Sequence, residues 1–429
     1  MNQDEARLPL KEIYFSSKFP FTEGQKNIFK EVIEWQTQPP LVKTGRSSFL
    51  LIKEETLPFK GIKIKGCGYF DIEKNIASQP SDEEGYDAHI QRAPDGVKEI
   101  HYQIEVDDKD ELVYSVPEKR PYGAQLSKKA KLEYEVNKYL FEKWEGSTKD
   151  FPFYFPLGYA EYQDLAYNNE PLGATLLGMQ GDAEIPLGQY FEGKLEDEGI
   201  RINPHLLTYW QNHTSVVGSN NPDFFDLIST LKKLCFEFGR SLSDLHDHFV
   251  DFDSHLFNAT VNLENGRVIL YDLDHVYGKN KVSDQAYFYY ALKDFEVALV
   301  AILSNFMLSG LIEGADLFSK IDQPLNDFNI VEGFYEGYFH KLSDAAKEHA
   351  KSTWERLITY ASNQLLNSPL EKRFNMVYDF CEKEREESFI NAMPYLSKKY
   401  SFEIDKEKHK KIISAFIDQR KSLEKAKEK

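Results

Sequence analysis

The apolar residues of this chain change their spacing once, and that change limits what the chain can fold into. From Leu41 to about Val116 they fall in short β-rich runs, SSFLLIKEE, FKGIKIKGCGYF, EIHYQIEV and ELVYSV, separated by Gly, Pro and Asp. Such runs predict strands. From Asp223 onward the spacing is helical, in DFFDLISTLKKLCFEFGRSLSDLHDHF, QAYFYYALKDFEVALVAILSNFM and several later segments. At 429 residues the chain is also longer than the roughly 250–300 residues over which a single core grows. Strands first and helices later predict an α+β, bilobal chain with a ligand cleft between its halves.

The expected division is an N-terminal extension over residues 1–40, a β-rich lobe over 41–181 and a helical lobe over 182–429. In the extension, GQKNIFKEVIEWQTQPP reads as a short helix stopped by Pro39-Pro40. The β-rich lobe carries an insertion near 78–120, whose polar Ser78–Gly96 stretch reads as an exposed loop. It also holds one amphipathic helix, Ser127–Glu145, with Ser127 in the N-cap position. FPLGYAEYQ and GATLLGMQG follow as two further strands.

Composition narrows the partners. With 52 Lys+Arg against 70 Asp+Glu the formal net charge is −18, which argues against nucleic-acid binding but leaves room for a local anion pocket. Cys67, Cys235 and Cys381 lie far apart without a CxxC, which excludes a disulfide framework and a cysteine-built zinc site and fits a reducing compartment. The start, MNQDEARLPLKEIYF, lacks the basic and apolar regions of a signal peptide. The longest apolar stretch, Val297–Met307, is too short to span a bilayer. The expectation is a soluble, cytoplasmic protein with no membrane partner.

The segment with most chemical content is DFDSHLFNATVNLENGRVILYDLDHV, Asp251–Val276. Asp253 precedes Asn258 by five positions, and a hairpin with Glu264-Asn265-Gly266 at its turn then leads to Asp272. Two Asp and one Asn gathered in this way suit phosphoryl transfer. Hard oxygens hold Mg²⁺, and the remaining carboxylate orients or deprotonates an attacking hydroxyl. The alternative is that all three are ordinary turn and strand-end residues.

The wording DSHLFN…YDLDHV resembles the D-x-H-x-x-N…D-[FW]-[DE] pattern of the aminoglycoside phosphotransferase and small-molecule kinase branch of the protein-kinase-like superfamily. The resemblance implies Asp253 as the catalytic Asp, Asn258 and Asp272 as Mg²⁺ ligands, and Asp274 as a second acidic neighbour. It implies ATP as cofactor together with Mg²⁺. His255 matches the branch's His, and LSDLHDHF sits where the superfamily has a helix ending in Leu-His. One departure is Asp251, at the position where the family often has His two residues before the catalytic Asp.

A kinase-like reading also demands a strand lysine for the phosphates and a helical glutamate to hold it. Lys63 and Lys65 share one strand face, so parity does not choose between them. Glu133 and Glu135 lie on different sides of their helix, so only one can face the cleft. IKGCG…LEYEVNKYL resembles the K-G-x-G…E-[YF] pairing of selenoprotein O-type pseudokinases, which transfer AMP, and that resemblance selects Lys65 and Glu133. Lys43–Ser48 (KTGRSS) is the nearest approach to a glycine-rich phosphate loop, and no GxGxxG is present. The main chain around Leu177–Gln180, Leu177 and Met179 in particular, is the expected reader of an adenine edge.

The function these residues predict is ATP- and Mg²⁺-dependent phosphotransfer to a hydroxyl or amine of a small molecule or protein. A first alternative is AMP transfer, or a non-catalytic pseudokinase, on the same fold. A second is a metal-dependent phosphohydrolase using His246, His248, His255 and His275 with Asp247 and Asp251. Against it, residues two apart lie about 200° apart around a helix, so a buried histidine at a helix end is the simpler reading of His246. Asp226, Asp244 and Asp294 are expected on solvated faces, and Tyr287–Tyr290 in the core.

Overall fold

The computed structural model describes residues 9–403 and 407, apart from 35–42, 45–46, 53–56, 68, 72–75, 79–102, 107–111, 116–124, 168, 182–183, 197–198, 215–221, 320–327, 341–343 and 404–406. The chain forms two compact units: Met1–Gln103 with Ser115–Glu184 and Tyr271–His275, and Ile104–Tyr114 with Ile185–Leu270 and Val276–Lys429. A sheet dominates the first and helices the second, an α+β arrangement.

The sheet of the first unit has seven strands: β1 (Leu10–Phe15), β2 (Lys43–Thr44), β3 (Ser47–Leu51), β4 (Gly61–Lys65), β5 (Gln125–Leu126), β6 (Phe155–Tyr167) and β7 (Glu170–Met179). Their order is β1-β6-β7-β4-β3-β2, with β5 beside β7, and every pairing is antiparallel. From the expected extension, Leu10–Phe15 joins this sheet: Glu12–Phe15 alternate in burial, the register shifts between Leu10 and Glu12, and pairing with Gly158–Tyr162 makes it an edge strand. Behind it, α1 (Glu23–Ile33) starts at a Thr22–Gln25 capping box and buries Phe29, Val32 and Ile33. That helix stops at Glu34, ahead of the expected Pro39-Pro40, which lies outside the described residues.

Helix α2 (Ser127–Lys143) carries Tyr134, Val136 and Leu140 on its buried face. Ser127 is its first helical residue rather than its cap. The chain enters directly from β5, Leu126 holds the cap position, and the Ser127 hydroxyl donates to Glu161 Oε2 at 2.6 Å. The Ser78–Gly96 loop lies almost wholly outside the described residues; the strand pair Gln103–Val106 with Leu112–Ser115 is what is described of the expected insertion beyond Ser78, and a second short pair, Tyr69–Asp71 with Ile76–Ser78, precedes it.

In the second unit α3 (Phe224–His246) begins at an Asp223–Asp226 capping box and packs along α5 (Ile330–Phe339). Gly239 of α3 faces the Phe334 carbonyl, and Gly337 of α5 faces the Phe236 carbonyl, so a Cβ at either would force the helices apart. Helix α4 (Asp284–Leu308) is apolar nearly all round and mostly buried, with Tyr287–Tyr290 in the core. Helix α6 (Leu370–Tyr400) packs against α4. No described helix is long and apolar enough to cross a membrane.

The predicted hairpin is present as β8 (Ala259–Val261) and β9 (Val268–Leu270), in the register Ala259↔Leu270. Its loop closes through Asn262 N–H to the Arg267 carbonyl and Gly266 N–H to the Asn262 carbonyl, with Gly266 at φ +76°.

Candidate functional site

Lys65 ends β4, and the chain must leave the sheet at once. Gly66 allows this, because its φ is +89° and a Cβ there would lie 2.5 Å from the Gly173 carbonyl oxygen and 2.7 Å from Gln125 Cβ. The Lys65 side chain is 2% exposed and meets three carboxylates. Glu133 Oε2 from α2 is 3.1 Å from its Nζ and Asp274 Oδ2 is 3.0 Å away, and Asp272 Oδ1 is a third, close partner. Gln125 Nε2 donates to Glu133 Oε2 at 2.9 Å and to Asp274 Oδ2 at 3.2 Å, while its own Oε1 accepts from Thr175 Oγ1 at 2.8 Å. Asp274 Oδ1 also lies 3.1 Å from His275 Nδ1.

One ammonium facing three carboxylates leaves an excess of negative charge in a space where charge is costly. Glu133 Oε1 is buried and has no hydrogen-bond partner. One carboxylate oxygen from each of Glu133, Asp272 and Asp274 lies within 4.8 Å of the others, a set of hard donors that fits a divalent cation such as Mg²⁺. Asp272 is the most accessible of the three at 21% exposure, and its backbone is left-handed at φ +70°.

Lys63 points to the same side of β4 but has a different partner. Its Nζ is 2.8 Å and 2.9 Å from the Glu184 carboxylate oxygens and 4.3 Å from the centre of the Tyr271 ring. Glu184 also accepts from Tyr154 Oη at 2.5 Å, and burial, with Glu184 adding to it, raises the Tyr154 phenol well above its ordinary value. The parity that could not separate the two lysines is resolved by what lies over each. Of the helical glutamates, Glu133 is fully buried and Glu135 is exposed.

The expected adenine reader, Leu177–Gln180, comprises the last residues of β7 and the one that follows. Leu177 lies inside the sheet, opposite Pro156 on one side and Lys63 on the other, so its main chain faces neighbouring strands on both edges. The Met179 carbonyl accepts from Lys60 N–H at 2.9 Å, and the Gln180 amide donates to the Phe151 and Phe153 carbonyls. Lys43–Ser48 forms the β2–β3 hairpin, whose tip at 45–46 lies outside the described residues.

In the second unit, Asp253 sits on a loop of unusual backbone. Asp251 has φ +67° and Asp253 φ +35°, a region that Asp tolerates better than most residues but that still costs free energy. Buried groups hold that shape. Phe252 is fully buried, and its N–H donates to Asp294 Oδ2 at 2.9 Å. The Ser254 hydroxyl donates to the Asp294 carbonyl, and Lys293 pairs with Asp251. Burial alone would lower the Lys293 ammonium, but Asp251, Asp294 and Asp253 together raise it above its ordinary value. On the far side Asn258 Nδ2 donates to the Asp253 carbonyl at 3.0 Å, so Oδ1 is the atom Asn258 can offer a metal. The Asp253 side chain remains 48% exposed, with His255 Nε2 3.4 Å from its Oδ2.

Asp294 is therefore not on a solvated face: it is fully buried between His246 and the Phe252 amide. Asp226 belongs to the α3 capping box, and Asp244 pairs with Arg267, burial raising its carboxyl against that pull. Lys293, Asp294 and Gln125 are the contributors that the sequence reading missed. The charged residues Lys293, Asp294 and Glu296 inside the largely apolar YFYYALKDFEVALV were the available signal for the first two; nothing marked Gln125.

The histidine-based alternative loses its main ligand. His246 Nδ1 is 2.6 Å from Tyr338 Oη and Nε2 is 3.0 Å from Asp294, so both ring nitrogens are engaged. Among the described residues, the cluster able to hold a metal contains no histidine. No protein-family model matches this chain, and no curated protein shows significant similarity to it.

Proposed function

We propose that this protein is an ATP- and Mg²⁺-dependent phosphotransferase of the protein-kinase-like kind, acting on a hydroxyl or amine of a small molecule. The observation that carries this reading is the Lys65 cluster: a buried strand lysine held by a helical glutamate, Glu133, and by two aspartates, Asp272 and Asp274, that follow directly on the hairpin. That is the set of groups phosphoryl transfer requires, since catalysis there is positioning plus neutralisation of phosphate charge.

Lys65 is the cation for the nucleotide phosphates. Glu133, itself held by Gln125, fixes its ammonium, and Asp272 with Asp274 would hold Mg²⁺. Mg²⁺ held there would supply positive charge against the charge that develops on the phosphates. Asp253 accepts the proton of the acceptor; its exposure suits a group that must meet an incoming substrate, and the Asn258 hydrogen bond to its carbonyl fixes its orientation. Lys293 and Asp294 position the Asp251–Asp253 backbone, so Asp251 is compatible with the role where the family pattern often has His. An acidic chain suits a neutral or cationic small acceptor better than a polyanion.

The test is label transfer from ATP carrying the label on the γ- or the α-phosphate, in a screen of amino- and hydroxyl-bearing acceptors. Transfer of γ-label, abolished in Asp253→Ala, is the expected result. Transfer of α-label would establish AMP transfer instead. No transfer with intact nucleotide binding would make the protein a binding module.

A further inference from the structure

A cavity of about 440 Å³ in the second unit is lined by Lys399, Lys279, Asp247, Asp284, His246 and Tyr287, among others. That volume is of the size of a small-molecule site. Its lining residues differ in burial. Asp247, Asp284 and Lys279 are exposed, His246 is fully buried, and Lys399 is only partly exposed.

Lys399 is the feature that asks for a ligand. Its Nζ donates to Ser243 Oγ at 2.5 Å and to the Tyr338 carbonyl at 3.4 Å, and it lies 4.3 Å from the centre of the Tyr338 ring. Among the described residues no carboxylate reaches it at ion-pair distance. Burial pushes its ammonium down to about 8, against the pull of Asp247 and Asp244. A desolvated cation held by neutral oxygens and the rings of Tyr338 and Tyr400 gains most from an anionic partner. The two exposed aspartates offer the opposite complement.

We infer that this cavity binds a small zwitterion of the α-amino acid class, its carboxylate on Lys399 and its ammonium on Asp247 and Asp284. One ligand thereby answers both signs of charge lining the cavity. None of these three residues takes part in the proposed transfer reaction. Yet the cavity wall leads towards Asp253: the Tyr287 hydroxyl donates to the His246 carbonyl at 2.7 Å, and the His246 ring reaches Asp294, which holds the Phe252 amide.

The test is isothermal titration of the intact protein with each of the twenty amino acids, with acetate and methylammonium as single-charge controls. At least one amino acid should bind, more tightly than either control. Lys399→Met should weaken binding by about tenfold or more, the value of a lost charge-assisted contact. Asp247→Asn and Asp284→Asn, at exposed positions that leave the fold intact, should each weaken it severalfold, and they keep the test decisive if Lys399→Met does not fold. Binding of no amino acid, binding of acetate equal to that of any amino acid, or affinity indifferent to the aspartate substitutions would each overturn the inference.

Discussion

Around Lys65 the structure takes opposite charges out of water, whereas around Asp253 it shapes the backbone and leaves the carboxylate wet. The Lys65 side chain is 2% exposed and that of Asp253 48%. The first constellation spends its hydrogen bonds on charge: Gln125, Glu133 and Asp274 interlock with the ammonium. The second spends them on conformation: Asp294, Lys293 and Asn258 hold a loop whose Asp251 and Asp253 are both left-handed. The difference teaches what each can do. A buried, preformed set of charges can receive a polyanion with its metal, and an exposed carboxylate on a rigid loop can meet a variable acceptor.

The contrast can be broken by substitution. Lys65→Met leaves three carboxylates without their ammonium and should cost about 3–5 kcal/mol of stability, read by urea unfolding. Excess Mg²⁺ should recover part of that loss. Adding Glu133→Gln should restore stability rather than lower it further, because it removes one uncompensated charge. Asp253→Asn should behave in the opposite way. Stability should stay within about 0.5 kcal/mol of wild type, since the side chain is half exposed, while the transfer rate falls by about 10²–10⁴ at unchanged nucleotide affinity. Equal losses of stability in the two variants would erase the distinction between the constellations.

Smaller effects sharpen it. Lys293→Met removes the partner of Asp251 and should cost about 2 kcal/mol, with a fall in kcat larger than any change in KM for ATP. A further effect is one of pH, and it belongs to the second unit. Burial lowers His246 against the pull of Asp294, and burial with Arg356 pushes His349 down to about 4. Both are neutral in the folded protein over a range where the unfolded chain binds protons. The contribution of these two histidines to stability is therefore full above about pH 6.5 and is lost as the pH drops towards 4. His349 contributes roughly 3 kcal/mol at most to that fall. Melting curves across this range should show it, and His349→Gln should flatten it.

How much of this could be read from the sequence differs between the same two regions. The β-rich then helical order, the Asn-Gly hairpin and the Tyr287–Tyr290 core follow from periodicity and turn chemistry, and the structure has all three. Strand β1 is hidden because its alternation holds only over Glu12–Phe15 and breaks at a register shift after Leu10. Ser127 looked like a cap because local rules cannot see that Leu126 is already paired in the sheet. Lys63 and Lys65 are equivalent in any local pattern, and only Glu184 and Glu133, distant in sequence, tell them apart. Asp294 was misread because an acidic residue suggests solvent until its buried donors, His246 and the Phe252 amide, are known. Propensity and parity report on neighbours along the chain, while the partners of a buried charge are set by tertiary contacts.

The most direct measurement is a thermal-shift titration with ATP and Mg²⁺ on wild type and on Asp272→Ala, which leaves Lys65 its Glu133 and Asp274 partners. At ~100 times Kd the ligand should add about 2.7 kcal/mol of stability to wild type. Nucleotide and metal binding at the Lys65 cluster requires a metal-dependent shift in wild type that is lost in Asp272→Ala. No shift in wild type, or an undiminished one in the variant, would contradict it.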